Sequence, residues 1–547
     1  MHTKELSNKR IAKTRTSTTT TAFAFNWFGL GNNDSEGADQ NSSIGITNTQ
    51  QKDFVSSDWL SNLPSFATKG SESADIVIIG GGVSGLSAAI TAAEAINKNQ
   101  QKKNIILLEA NEKLGGRVTS EKTDDGFVLD VGFAVFIEEY PEVKKILDYD
   151  ALELKQFLPG AKVKLKGRKE LARVSDPLRN PLDIVDSVLS PIGSLLDKVK
   201  VLPLVLNVRL SSIEALFSEE ETDTETALIE RWGFSDNFTN TFLKPFLEGI
   251  FLTPLSQQSS RMFSFVFKMF SDGSAALPKG GMIAVTNQLV EKAESLGVQI
   301  ITEMPVTRVL TSGGKDNDNI IIECKGDTQR CFETSSVVVA TDGRIAKKII
   351  GNVKGFESLK DIPDQPQLSV GCVYYAFEGK APVKEPILVL NGMTEDNEPV
   401  NNVCFPSMVN EGYAPEGYNL CSVTILSEAM TLYKNRPDEL DQAVRRQLGC
   451  WFLDYQSDIM DKWELKKIFY VPKAQPSQYN GPFPASFNGA RSSTNFFGKE
   501  LPKGFFVCGD HMATATLNGA VESGVRAGTD VARAALSIPI QNAVLAE

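Results

Sequence analysis

Histidine is nearly absent from this chain. Of 547 residues only His2 and His511 carry an imidazole, so a Ser–His–Asp triad or a His-rich metal site has almost no material to be built from. Cysteine is scattered: Cys324, Cys331, Cys372, Cys404, Cys421, Cys450 and Cys508 include no CxxC pair. That pattern argues against a zinc site and a dithiol redox pair and reads as reduced thiols used as small apolar residues. No apolar run reaches the roughly 18 residues of a spanning helix. Basic residues are in deficit, with a formal charge of −12 and a pI near 5.1, which argues against a nucleic-acid-binding surface. No metal and no nucleic-acid partner are expected.

What is present is an enzyme-like composition, 41% hydrophobic and 23% charged, in a chain long enough for two or more domains. Residues 1–20 hold five Lys/Arg against one Glu, with abundant Ser and Thr, the composition of an organelle transit peptide. The Asn/Ser/Gly-rich stretch to residue 72 lacks apolar periodicity and is expected to be disordered or removed. Plastid import is the leading expectation. A mitochondrial address, or a cytoplasmic protein with a plain tail, is the alternative.

The first strong motif is "DIVIIGGGVSGLSAAI" (75–90). "ADIVIIG" is a β-branched run that suits a parallel strand buried on both faces. Gly80, Gly82 and Gly85 then fit GxGxxG, and small residues continue as a helix. The three glycines allow a tight turn, a close backbone approach to a pyrophosphate, and close packing of helix on strand, with the helix N-terminus facing the phosphates. A second strand, "NIILLEA" (104–110), ends in Glu109, an acid placed to hold ribose hydroxyls; without an adjacent Arg it disfavours NADP. "LGGRV" follows, with Gly115 and Gly116 offering a second backbone approach and Arg117 a guanidinium beside the charge. No further GxGxxG appears downstream, so no built-in NADPH domain is expected.

Together with "GFVLDVGFAVF" (126–136), "LPKGGMIAVTNQLVEKAESLGVQIITEMPVTRVL" (277–310) and "GDHMATATLNGAVESG" (509–524), these motifs resemble the FAD-dependent superfamily of amine oxidases, protoporphyrinogen oxidases and carotenoid desaturases and isomerases. Within it the chain looks closest to uncharacterised bacterial and plastid oxidoreductases. The resemblance covers most of 73–538. It implies an α/β fold, a Rossmann-like FAD-binding domain of the GR2 flavoprotein type interrupted by an α+β substrate domain. The expected boundaries are a leader at 1–72, FAD-binding segments at 73–140, 276–345 and 483–538, substrate segments at 141–275 and 346–482, and a tail at 539–547. The FAD contacts it implies add Val83, Ser84, Ala110, Gly132, Phe133, Val306 (through its backbone, at the adenine), Gly509, Asp510, Asn518, Gly519 and Ala520. The final helix is expected to aim its N-terminus at the flavin, where reduction places negative charge.

The chemistry implied is hydride transfer from a substrate C–H to flavin N5, with oxygen or a quinone as acceptor. Leu517 stands where amine oxidases of this superfamily place an aromatic residue of the substrate cage, which favours a small lipophilic substrate over an amine. Amine oxidation remains the alternative, as does a protein in which FAD is structural and the middle segments dock a partner. Tyr374, Tyr375 and Phe405 are candidates for a pocket wall, against the ordinary reading of strand aromatics as core. His511 is a candidate proton donor, against a reading as a satisfied turn residue. The apolar stretch 183–210 is either a cover over the substrate segments or a helix lying at a membrane surface.

Overall fold

The computed structural model describes residues 47–48, 71–132, 135–175, 179, 189–311, 319–325, 329–393, 398–479, 484–487 and 491–536, and all of these fall in one compact unit. The leader apart from 47–48 and 71–72, the tail, Phe133 and positions 183–188 of the apolar stretch lie outside the described residues.

The chain runs through β1 (Glu72–Ile79), α1 (Val83–Lys98) and β2 (Ile105–Leu108), then β3 (Gly160–Lys164) and β4 (Ala172–Ser175). A helical region follows, with α2 (Leu195–Leu210), α3 (Lys244–Phe251) and α4 (Ser260–Asp272), and π-helical turns at Ala227–Arg231 and Thr239–Leu243. Next come α5 (Ile283–Ser295), β5 (Gln299–Ile301), β6 (Val306–Thr311), β7 (Ile320–Lys325), β8 (Gln329–Val339) and α6 (Gly343–Ile350). The last portion holds β9 (Gln367–Glu378), β10 (Leu388–Asn391), β11 (Val400–Cys404), β12 (Tyr418–Leu426), β13 (Glu464–Pro476), β14 (Phe505–Val507) and α7 (Leu517–Ala535).

Two large sheets divide these strands. The first has the order β5-β2-β1-β8-β7-β6, with β14 also paired to β8. Its β5, β2, β1, β8 and β14 run parallel, whereas β6–β7–β8 is antiparallel. The second is mostly antiparallel, in the order β13-β9-β12-β11-β10-β3-β4, with Thr47–Asn48 added parallel to the β13 edge at Phe469–Tyr470. The result is a mixed α/β fold.

The β-branched run of β1 is buried on both faces because alternate side chains serve two cores. Ile76 and Ile78 join a cluster with Leu86 and Ala89 of α1 and Val521 and Val531 of α7. Val77 and Ile79 join another with Ile320 and Ile322 of β7 and Ile349 and Ile350 of α6. The small-residue periodicity of the last helix also has a packing reason. A Cβ at Gly524 would lie 2.3 Å from the Ser84 carbonyl oxygen, and one at Gly528 would lie 2.4 Å from that of Ala88. Side chains larger than hydrogen would therefore push α7 off α1.

Gly524→Ala is accordingly expected to cost about 1–3 kcal/mol through overpacking. Urea unfolding of the variant beside wild type measures it; an unchanged midpoint would mean that the two helices part without loss.

Candidate cofactor and substrate site

The turn between β1 and α1 is built around three differently constrained glycines. Gly80 has φ +112°, and a Cβ there would lie 2.6 Å from the Ala340 carbonyl oxygen on β8's exit. A Cβ at Gly85 would fall 1.9 Å from the Gly80 oxygen, so this glycine seats the helix on its own turn. Gly82 differs. Its φ is −77° and its nearest neighbour to a built Cβ is the Gly115 oxygen at 4.0 Å. Nothing among the described residues requires glycine there, yet the position lies on the wall of a cavity. A group that presses on the backbone is the physical reason for a bare Cα, and the site fits a dinucleotide on this ground.

Glu109 stands just past β2, 7% exposed. Its Oε2 accepts from the Gly81 N–H at 2.7 Å, and its Oε1 accepts from the backbone N–H of Asn111 at 3.0 Å and its side-chain amide at 2.8 Å. These bonds fix the carboxylate at the rim of the glycine turn.

The two ends of the chain meet at an ion pair. Arg117 donates to Asp510 Oδ2 at 2.8 Å and to the Ala474 carbonyl at 3.1 Å. Burial opposes charge on Asp510, but the Arg117 charge and hydrogen bond outweigh it and hold its carboxyl below the usual range. Asp342, absent from the sequence-based set, also reaches this wall. It caps α6 by accepting from the N–H groups of Arg344 and Ile345, and its place directly after the buried strand, in "VVVATDGR", is the sequence signal that would have found it.

One cavity of about 1190 Å³ collects these groups, larger than the roughly 300–1,000 Å³ of an ordinary single-ligand pocket. Of the expected contacts, Gly80, Gly82, Val83, Ser84, Glu109, Ala110, Gly115, Gly116, Arg117, Gly132, Val306, Gly509, Asp510 and Ala520 line it, as does Leu517. The wall also includes Thr516 and Leu517, so the first turn of α7 opens onto the cavity. Gly85, Asn518 and Gly519 stand behind it. Gly519 is needed because a Cβ would meet the Thr514 oxygen at 2.0 Å. Asn518 accepts from the Glu142 N–H at 2.9 Å, and its Nδ2 has no partner among the described residues.

Four candidate residues lie off the cavity wall. Tyr374, Tyr375 and Phe405 are absent from the cavity wall and are 2%, 0% and 2% exposed. Tyr374 donates to the Asp130 carbonyl and Tyr375 to Asp441, while Phe405 packs against Phe377, Phe452 and Trp463. They are core because β9 and β11 lie inside the second sheet, covered on both faces. His511 is 1% exposed, off the wall and against Phe496. Burial lowers its pKa to about 4, with Asp510 and Asp342 opposing that shift, so the ring is neutral near pH 7.

Sequence reasoning missed the other half of the wall. Phe238 just before the π-helical turn at Thr239–Leu243, Phe242 within it, Phe246 from α3, Phe267 and Phe270 from α4, and Val199, Leu202 and Val205 from α2 line the same cavity. Their signal, aromatics spaced by four residues in "NFTNTFLKPF", is indistinguishable from core until the helices are placed.

A nucleotide cradle that continues into an apolar chamber is the arrangement of a flavin-dependent oxidoreductase, in which cofactor and oxidisable substrate must touch. Comparison with known families is specific about which one. The model for flavin containing amine oxidoreductases matches residues 83–532, and the chain belongs to that family, with FAD as its cofactor. The 15-cis-phytoene desaturase of chloroplasts and chromoplasts from Solanum lycopersicum is 40% identical over 72 residues, 13% of this chain and 11% of that protein. An L-amino acid oxidase from Cerastes cerastes is 35% identical over 83 residues, 15% of each chain. These matches cover well under two thirds of either relative. Among solved structures, a protein from Exiguobacterium sp. 255-15 provisionally named as a protoporphyrinogen oxidase superposes with a TM-score of 0.60 at 18% identity, over 86% of this chain and 100% of its own. Putrescine oxidase bound to putrescine gives 0.59 at 16% identity, over 84% and 99%. Such identities speak for the fold alone.

Two outcomes follow from this geometry. Gly82→Ala meets no protein atom, so it is expected to keep wild-type stability within about 0.5 kcal/mol while losing most of its FAD. Flavin released per chain on denaturation checks this, and full FAD content would leave the turn a structural element only. The second concerns pH. Because folding depresses the His511 pKa from 6.5 to about 4, the unfolded chain binds a proton the folded chain refuses, and stability falls as pH drops through that window. The loss is about 2–3 kcal/mol between pH 7 and 4.5, and His511→Gln is expected to remove that part of the slope in urea titrations at the two pH values.

Proposed function

We propose that the chain oxidises a lipophilic, isoprenoid- or tetrapyrrole-like compound, with carotenoid desaturation or isomerisation the leading reaction. The observation that carries this reading is the character of the non-glycine part of the cavity. Phe238, Phe242, Phe246 and Phe270 form a row, with successive ring centroids 5.6, 6.0 and 5.7 Å apart. Such a row receives a long unsaturated hydrocarbon through dispersion along its length.

Charge points the same way. Among the described residues the acids on the cavity wall are Glu109, Asp342 and Asp510, all at the nucleotide cradle or beside it. Arg179, Lys198 and Lys473 are the other charged wall residues besides Arg117. Among the described wall residues a small ammonium substrate would find cations and no carboxylate beyond the cradle, which disfavours amine oxidation. The local likeness to phytoene desaturases supports the isoprenoid choice.

Bound FAD supplies the acceptor for a hydride from substrate C–H, and oxygen or a quinone removes the electrons. The chain's own part is to hold the nucleotide with the glycine turn, Glu109 and the Arg117–Asp510 pair, to keep the chamber dry, and to align the substrate along the phenylalanine row. The basic, Ser/Thr-rich leader and the chloroplastic and chromoplastic desaturases support a plastid location as part of the proposal.

Anaerobic titration with carotenoid precursors, polyprenyl lipids, porphyrinogens and primary amines tests this. Loss of the oxidised flavin band is expected with a polyene or tetrapyrrole, and chromatography detects isomers formed without net reduction. Rapid bleaching by a small primary amine, with peroxide on readmitting air, would overturn it.

A further inference from the structure

Helix α3 ends on the cavity wall. Gly249, Ile250, Phe251 and Leu252 are four consecutive wall residues. Leu252 has φ +58°, in the left-handed region that favours glycine, and its N–H donates to the Glu248 carbonyl at 2.8 Å. A leucine is kept in that region where its surroundings over-determine it, and such residues gather at ligand clamps.

The last carbonyls of a helix have no partner within it, and here a side chain from another element meets two of them. Gln475, near the end of β13, donates from Nε2 to the Phe251 carbonyl at 2.6 Å and to the Ile250 carbonyl at 3.3 Å. Both neighbours are acceptors only, so the amide has to turn its nitrogen to them. Its oxygen is left over, and among the described residues no group donates to it. Gln475 itself lies on the cavity wall, and an amide oxygen shut away from water by a ligand is costly to leave unmet.

The preceding residue fixes where this acceptor stands. The Ala474 carbonyl accepts from Arg117, the partner of Asp510 in the cradle. The carbonyls that hold the Gln475 amide belong to the helix that carries Phe246 into the chamber. Gln475 thus stands at the seam between the polar and the apolar part of the cavity.

We infer that Gln475 is a ligand-binding residue whose amide oxygen accepts a hydrogen bond from an N–H or O–H group bound at this seam, with the α3 carbonyls holding the amide in place. The donor is the imide N–H of the flavin ring or the polar end of a lipophilic substrate. The second source rests on the lipophilic reading above; the first rests only on FAD as cofactor.

The test reconstitutes full-length protein with FAD or with FAD methylated at the imide nitrogen, and titrates the FAD-loaded protein by fluorescence with retinol or its methyl ether. Each pair differs in one donor. Gln475→Lys keeps a nitrogen donor for the two carbonyls and removes the acceptor, whereas Gln475→Met removes both. Wild type is expected to prefer the donor-bearing member of one pair by about fivefold or more, and both variants to lose that preference. Preference within the flavin pair assigns the donor to the cofactor, and preference within the retinoid pair assigns it to the substrate. Ratios within a pair cancel a general loosening of α3, which the melting temperatures of the loaded variants report separately. A wild type that prefers neither donor, or a preference that either variant retains, would overturn the inference; retention by Gln475→Lys alone would leave Gln475 a clamp on α3. Failure of both retinoids to bind would count against the lipophilic reading, and the flavin pair alone would then decide on Gln475, so the two readings fail separately.

Discussion

Helix α7 approaches α1 so closely that a methyl at Gly524 or Gly528 would land 2.3 or 2.4 Å from a carbonyl oxygen of the neighbouring helix. This contact joins residues separated by more than four hundred positions, and the cradle depends on it. With α7 seated on α1, its first turn, at Thr516 and Leu517, reaches the same cavity as Gly82 at the start of α1. Strand β8 makes the same union in the sheet. Val337–Val339 pairs with β1 on one side and β14 on the other, and Arg117–Asp510 closes the junction electrostatically.

That frame leaves the second sheet free to serve as a wall and support. Its aromatic strands pack inward, so Tyr374, Tyr375 and Phe405 stabilise the support without touching the chamber. Asp130 shows how such support is fastened. Its carboxylate accepts from Ser120, the Met282 N–H and Tyr413, and burial raises its pKa despite those bonds. The chamber is lined by other residues of this sheet, Val370, Leu388 and Val471 among them, and by the helical segments 195–210 and 238–270, which bring phenylalanines and leucines over the cradle. One continuous space thus has a nucleotide-shaped polar part and a hydrocarbon-shaped apolar part. Leu195, Val199 and Leu202 of α2, both exposed and on the cavity wall, extend the apolar part to the protein surface.

Much of the cradle was legible in the residues. GxGxxG after a β-branched run, an acid at the next strand's end, and a late Gly–Asp before a small-residue helix each reflect a local requirement: a turn, a backbone approach or a helix start. Local requirements leave marks at fixed spacings, so Gly80, Gly82, Glu109, Arg117 and Asp510 could be named without coordinates. The substrate half was not legible in this way. Whether an aromatic on a strand or helix faces a core or a cavity depends on what packs against its other side, and no spacing records that. The same ambiguity held for the stretch 183–210, where sequence allowed a cover or a surface helix and the described part, α2, has both an inner and an outer apolar face. The glycine turns and the strand–helix order were thus determined by the chain's own short-range sterics. The phenylalanine row, the burial of His511 and the exposure of α2 were decided only in the folded chain, because each depends on contacts between segments distant in sequence.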